Sequence, residues 1–191
     1  MRARLDHVAV LVQSVEKARG DWPTLEAGAA EDFPREGTRE AYLGGPGARS
    51  RLLLMQALDG AQGPYRRALE KRGPGLHHVA LAAPDVEGFV AGLAGSGWLL
   101  LPRSLETLRG ARTAWLARPG VPALIEVFES GEENGGGGGE GEGGARAVEG
   151  VRLPEPAGRP GLLAALGVPD ITPSPDARAW IRVRNSDWRA L

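Results

Sequence analysis

LDHVAVLVQSVEKARGDWPTLEAG at residues 5–28 and LHHVALAAPDVEGFVAGLAGSGW at residues 76–98 are two versions of one pattern, offset by 71 residues. Each opens on an apolar run carrying L-x-H-V-A. Each then passes a Ser or Asp suited to the start of a helix and continues as a helical stretch that ends in glycine. Short β-like runs come next: EAYLGG and RSRLLLMQAL in the first copy, RTAWLARP and PALIEVFES in the second, divided by Gly and Pro turn signals. Each copy therefore reads β-α-β-β-β, with module one over residues 4–60 and module two over residues 74–131.

The repeat ends at EENGGGGGEGEGGAR, residues 132–146, which has no apolar side chain large enough to anchor it and reads as a flexible linker. Beyond it, residues 147–191 hold a weaker third echo, VEGVRLPEPAGRPGLLAALGV followed by ARAWIRVRN, with Gly150 where the other copies carry histidine. Its last strand is missing or blurred, and it reads as a degenerate partial module. Trp180 and Trp188 beside Ile181 and Val183 favour a folded segment, because such bulk is rarely left in water. The fold class expected is α+β, built from paired modules with this fragment at the C-terminus.

Composition removes whole classes of chemistry. The 191 residues contain no cysteine, so disulfide scaffolds, thiolate zinc sites, iron–sulfur clusters and cysteine nucleophiles are excluded. Any metal must be held by imidazole, carboxylate or amide groups. With 23 Lys and Arg against 24 Asp and Glu, no global field favours nucleic acid or an anionic membrane. No apolar stretch approaches the roughly 20 residues of a membrane span. A cytoplasmic protein with a small-molecule substrate, and with neither nucleic-acid nor membrane partners, is the expectation.

Side chains alternate across a strand, so parity shows which residues share a face. His7 shares one with Ala9 and Leu11, opposite Val8, Val10 and Val12. His78 lies with Ala80 and Ala82, opposite His77, Val79 and Leu81. Both histidines thus have an alanine two residues on, which leaves room around the imidazoles and points to a cavity. Glu126 is a carboxylate inside an apolar strand, on the face of Leu124 and Phe128; burying it alone would cost several kcal/mol, so it needs a cation, a hydrogen-bond network or a cleft. Two imidazoles and one carboxylate, His7, His78 and Glu126, form a plausible divalent-metal set with positions left for water or substrate. The plainer alternative is two separate core histidines and a solvent-facing Glu126. Only three histidines occur in the chain, and two of them stand at equivalent positions of the repeat. His77 is expected on the other face.

Over residues 4–130 these motifs resemble the vicinal oxygen chelate superfamily, which includes glyoxalase I, methylmalonyl-CoA epimerase, extradiol dioxygenases and antibiotic-resistance proteins. Within it, LDHVAVLVQSVEKA is similar to the first strand and helix of methylmalonyl-CoA epimerases, and GPYRRALEKRGPGLHHVALAAPDVEGF to their intermodule helix and second metal strand. The resemblance implies a half-open barrel around a divalent metal, with metal ligands at His7, His78 and Glu126. Two positions depart from it. The remaining ligand of the family, a Gln or Glu on the last strand of module one, falls on Leu53. Gln56 lies nearby with the opposite parity and would need a bulge or a one-residue slip to serve. The epimerases' catalytic glutamate, in a P-E-Q-G-like turn, falls on Arg35 of PREGT, with Glu36 beside it.

In activity, the resemblance implies an epimerase, isomerase or lyase acting on a small acid or thioester. His7, His78 and Glu126 would hold Co, Mn, Ni, Zn or Fe, and Glu126 and Glu36 would be the catalytic carboxylates. Glu40 is a further candidate for proton transfer, and Arg35 for contact with a substrate carboxylate or phosphate. Two alternatives use the same frame: an Fe(II)-dependent extradiol-type dioxygenase, and a metal-free binder of small molecules such as antibiotics, which Leu53, Leu54 and Met55 favour. Open barrels of this superfamily commonly pair, so a homodimer is expected.

Overall fold

The structure, a computed structural model, describes residues 3–102, 104–108, 110–130 and 144–191. Most of the expected linker, residues 132–146, lies outside the described residues. Module one runs β1 (Arg4–Leu11), α1 (Val15–Ala18), β2 (Ala27–Phe33), β3 (Thr38–Leu43) and β4 (Arg51–Ala57). After α2 (Pro64–Arg72), module two runs β5 (Gly75–Ala83), α3 (Val86–Gly92), β6 (Leu99–Leu100), β7 (Glu106–Leu108), β8 (Ala111–Ala117) and β9 (Leu124–Glu129). Both helices start where the repeat places them. The Ser14 hydroxyl accepts from the Lys17 N–H at 3.3 Å and the Asp85 carboxylate from the Gly88 N–H at 2.9 Å, satisfying donors that a first turn leaves open.

All of these strands belong to one sheet, in the order β2-β3-β4-β1-β5-β9-β8-β6, with β7 also on β8. β1 is parallel to β4 and β5 is parallel to β9, while β1 and β5 meet antiparallel at the centre. The modules are thus related by an approximate two-fold through the β1–β5 seam. The fold is α+β, and the sheet is not closed: β2 and β6 end it on either side. The strand between α3 and β8 is split in two, because Leu101 and Ser104 close a turn at Pro102, which has no N–H for the ladder.

The two faces of the sheet carry different cores. Val8, Val10, Leu52, Leu54, Val79, Leu81, Ile125 and Val127 bury themselves against Val15, Val86, Phe89, Trp22 and Trp98 of the helical side. Each such aliphatic side chain contributes about 1.5–3 kcal/mol. On the opposite face a smaller cluster, Ala9, Leu11, Leu53 and Met55, is covered by Tyr42 and by Tyr65 and Leu69 of α2.

The tail is folded. It forms β10 (Val148–Leu153), a 3₁₀ turn (Ala164–Leu166), β11 (Ile171–Pro173), β12 (Trp180–Val183) and the two-residue β13 (Arg189–Ala190), which is the blurred last strand. Its chain order echoes a module, with a 3₁₀ turn in place of the helix. Its spatial order, β11-β10-β12-β13, differs: the first strand pairs in parallel with the second rather than with the last. Val151, Leu153, Leu163 and Ile181 join the helix-side core, and the Trp98 indole N–H donates to the Leu162 carbonyl at 3.0 Å. Among the described residues, no helix is long and apolar enough to cross a membrane.

Candidate functional site

Strand registers place the singled-out residues in two neighbouring rows on the face away from α1 and α3. One row reads Arg51, His7, Ala80, Glu126, Trp115; the next reads Tyr42, Leu53, Ala9, His78, Leu124. Each histidine is therefore paired with the alanine two residues beyond the other. Ala9 and Ala80 are fully buried, and their methyl groups leave each imidazole room to lean across the seam. The repeat also assigns Leu53 its place, since it stands beside Ala9 as Glu126 stands beside Ala80.

Three donors meet there. The Nε2 atoms of His7 and His78 are 3.3 Å apart. A Glu126 carboxylate oxygen lies 3.3 Å from the His78 Nε2 and 3.8 Å from the His7 Nε2. All three ligand atoms fall within 4.8 Å of one another. A divalent ion about 2.1 Å from its donors would set them about 3.0 Å apart at right angles and about 3.4 Å apart at the tetrahedral angle. The two 3.3 Å spacings fall in that range and the 3.8 Å spacing is about 0.4 Å wider, so after a small side-chain adjustment this set fits the metal the resemblance implies, as a three-ligand face with open positions. Leu53, which offers no donor, stands where the resemblance places a further ligand. It is 3% exposed and lines the cavity.

A second layer fixes the rings. Asp6 Oδ2 lies 2.9 Å from His7 Nδ1, and His77 Nδ1 lies 2.8 Å from His78 Nδ1. A metal on Nε2 requires the proton on Nδ1, so His7 is assigned as donor to the Asp6 carboxylate and His78 as donor to the His77 ring nitrogen. His77 is not on the other face as parity suggests. The β1–β5 register shifts between Ala9 and Val10, which pair with His78 and Leu76, so His77 is the extra residue of a β-bulge. The bulge turns its ring towards the site, 5.1 Å from the His78 ring and 5.0 Å from Tyr65.

Burial pushes the His78 imidazole well below its ordinary range, helped by the His7 and His77 rings. Burial likewise lowers His77 to about 4, with the Arg72 charge adding to it. Both rings are therefore neutral near pH 7, as a ligand and a hydrogen-bond acceptor must be. Burial alone would raise Asp6; the His7 hydrogen bond, with the Arg51 and Arg4 charges, outweighs it and holds the carboxyl below its usual value. Burial also raises the Tyr42 phenol, which stays neutral.

The donors open into a cavity of about 310 Å³, with Leu53, Met55, Trp115 and Phe128 among its apolar walls. Glu36 and Glu40 also line it. Glu40 is buried on β3 and accepts from the Thr38 hydroxyl at 2.7 Å. Arg35 is exposed on the turn between β2 and β3, outside the lining; among the described residues Arg51, which the sequence reading did not single out, is the arginine that reaches the cavity. Gln56 does not turn towards the metal site. Its side-chain carbonyl accepts from the Val15 N–H at 3.0 Å, capping α1 on the other face, and the β3–β4 register has no slip that would turn it. Tyr42 and Arg51 were missed because their roles come from cross-strand neighbours, and Asp6 and His77 because register shifts between β1 and β5 fall at those positions; the L-D-H and L-H-H triplets were the available signal for the latter two.

A family model for the Glyoxalase/Bleomycin resistance protein/Dioxygenase superfamily matches residues 6–115, and the chain belongs to that superfamily. Among solved structures it is similar to a hypothetical protein from Bacillus halodurans, at 25% identity and a TM-score of 0.57, over 70% of this chain and 98% of that one. It is similar to methylmalonyl-CoA epimerase from Mycobacterium tuberculosis at 26% identity and a TM-score of 0.53, over 68% of this chain and 89% of that one. A Streptomyces coelicolor methylmalonyl-CoA epimerase variant in complex with 2-nitronate-propionyl-CoA is similar at 25% identity and a TM-score of 0.53, over 69% and 97% of the two chains. No curated protein matches the chain in sequence.

Proposed function

We propose that the protein is a divalent-metal-dependent epimerase, isomerase or lyase acting on a small acid or thioester. The observation that carries this reading is the convergence of His7, His78 and Glu126, from both modules, on one point inside a cavity. A metal held there would polarise vicinal oxygens of the substrate and stabilise negative charge on them. The chain's own groups do the rest. Asp6 and His77 keep the two imidazoles in the tautomer that presents Nε2. Leu53, Met55, Trp115 and Phe128 keep water from the reacting face. Asp6, Glu36 and Glu40 are the cavity carboxylates outside the ligand set; Asp6 is held by His7, and Glu36, in the turn where the epimerases carry their catalytic glutamate, accepts the proton from the substrate carbon. The similarity to methylmalonyl-CoA epimerases makes methylmalonyl-CoA the first thioester to assay. Leu99 and Leu100, 51% and 42% exposed on the edge strand β6, support the expected homodimer.

The test is metal content of the purified wild type beside H78A and E126A. About one equivalent in the wild type and a large loss in both variants supports the reading; equal metal in all three refutes the ligand assignment. Bound iron would favour the dioxygenase alternative, which the two-histidine, one-carboxylate set also suits. Substoichiometric metal would favour the small-molecule binder, for which the Leu53 and Met55 wall speaks.

A further inference from the structure

Among the described residues, Arg51 is the cationic side chain of the cavity wall, and its guanidinium makes no hydrogen bond or ion pair. It lies flat over the Tyr42 ring at 4.0 Å. That ring is edge-on to His7, with centroids 5.6 Å apart. One aromatic ring thus separates a guanidinium with unused donors from the metal-facing imidazole, and the register pairs Arg51 directly with His7. Asp6 is hydrogen-bonded to His7 and ion-paired to Arg4 at 3.6 Å, and it feels the Arg51 charge without pairing with it. A half-buried guanidinium held by stacking, with its in-plane donors unspent, is preorganised for a bidentate anion.

We propose that Arg51 anchors a second anionic group of the substrate, so that the site takes a small acid with one chelating end and one further carboxylate. This rests on the metal-site reading above and adds to it a choice of substrate class. The anchor acts in binding: it selects dianionic over monoanionic acids that chelate alike.

The experiment titrates Co(II)-loaded protein with 2-oxoglutarate and with 2-oxopentanoate, which share the chelating 2-oxo acid and differ in the distal carboxylate, reading the visible spectrum. Wild type is expected to bind 2-oxoglutarate tighter by roughly 10–100-fold, the range for a charge-assisted bidentate contact. R51M should erase that preference while leaving Co(II) stoichiometry and 2-oxopentanoate affinity within about twofold; R51K, a point charge without the planar fork, should keep part of it. No preference in the wild type overturns the proposal, even if a variant does not fold. So does equal weakening of both acids in R51M, the mark of a merely structural arginine. A wild type that takes up no Co(II) overturns the metal reading and this inference with it, whereas Co(II) binding without discrimination overturns the inference alone.

Discussion

Acidifying the metal-free protein should destabilise it in a window set by His77. Its folded-state value of about 4 lies below the ordinary 6.5, so between those values the unfolded chain binds a proton that the native chain refuses. Stability from this group is therefore complete above pH 6.5 and is lost as the pH falls towards 4. The gap of about 2.5 units, at about 1.4 kcal/mol per unit, amounts to roughly 3 kcal/mol. His77 is 5% exposed, so little solvent screening reduces this figure. His78 is shifted in the same direction and adds to the fall. Asp6, held below its ordinary value of 3.8, loses its contribution only at lower pH and does not blur the window. The perturbation is H77N, whose amide oxygen sits where the ring Nδ1 sits and accepts from His78 without titrating. Urea unfolding of the chelator-treated proteins, followed by tryptophan fluorescence at steps from pH 7.5 to 4.5, measures the effect. Wild type should lose about 2–3 kcal/mol more than H77N across that range. Parallel curves would refute the reasoning, because they would mean that His77 is already solvated or already charged in the native state.

Three further outcomes are expected. D6A should weaken Co(II) binding by about 10–100-fold in a chelator competition, because His7 loses the acceptor that fixes its tautomer, with D6N intermediate. L53E should tighten metal by at least about tenfold, since position 53 mirrors position 126 across the seam, and should lower the metal-free melting temperature by burying a carboxylate. Removal of residues 144–191 should lower the melting temperature by stripping Val151, Leu153, Leu163 and Ile181 from the shared core, yet leave metal stoichiometry intact because no tail residue lines the cavity.

Much of the site was legible because strand alternation is local. His7, Ala9, His78, Ala80 and Glu126 could be put on their faces by counting along one strand at a time, and the repeat made His7 and His78 equivalent before any contact was known. Leu53 stood out only through the family resemblance, which places a Gln or Glu at that position. Where counting along one strand stopped sufficing, the expectation stopped too. His77 obeys parity until a bulge adds a residue to β5, and a bulge is a property of two strands. The tail's folded nature was readable from its tryptophans, while its strand order was not.

The chain by itself determined the duplicated α+β pattern, the absence of thiol chemistry and the three groups able to meet a metal. These depend on residue type and on a period of two, both local. Only the tertiary structure decided that Arg51 sits beside His7, that His77 backs His78, that Gln56 caps α1, and that the tail packs on the helical face. Those facts depend on which strands pair and in what register, and the hydrogen bonds that set register join residues far apart in sequence.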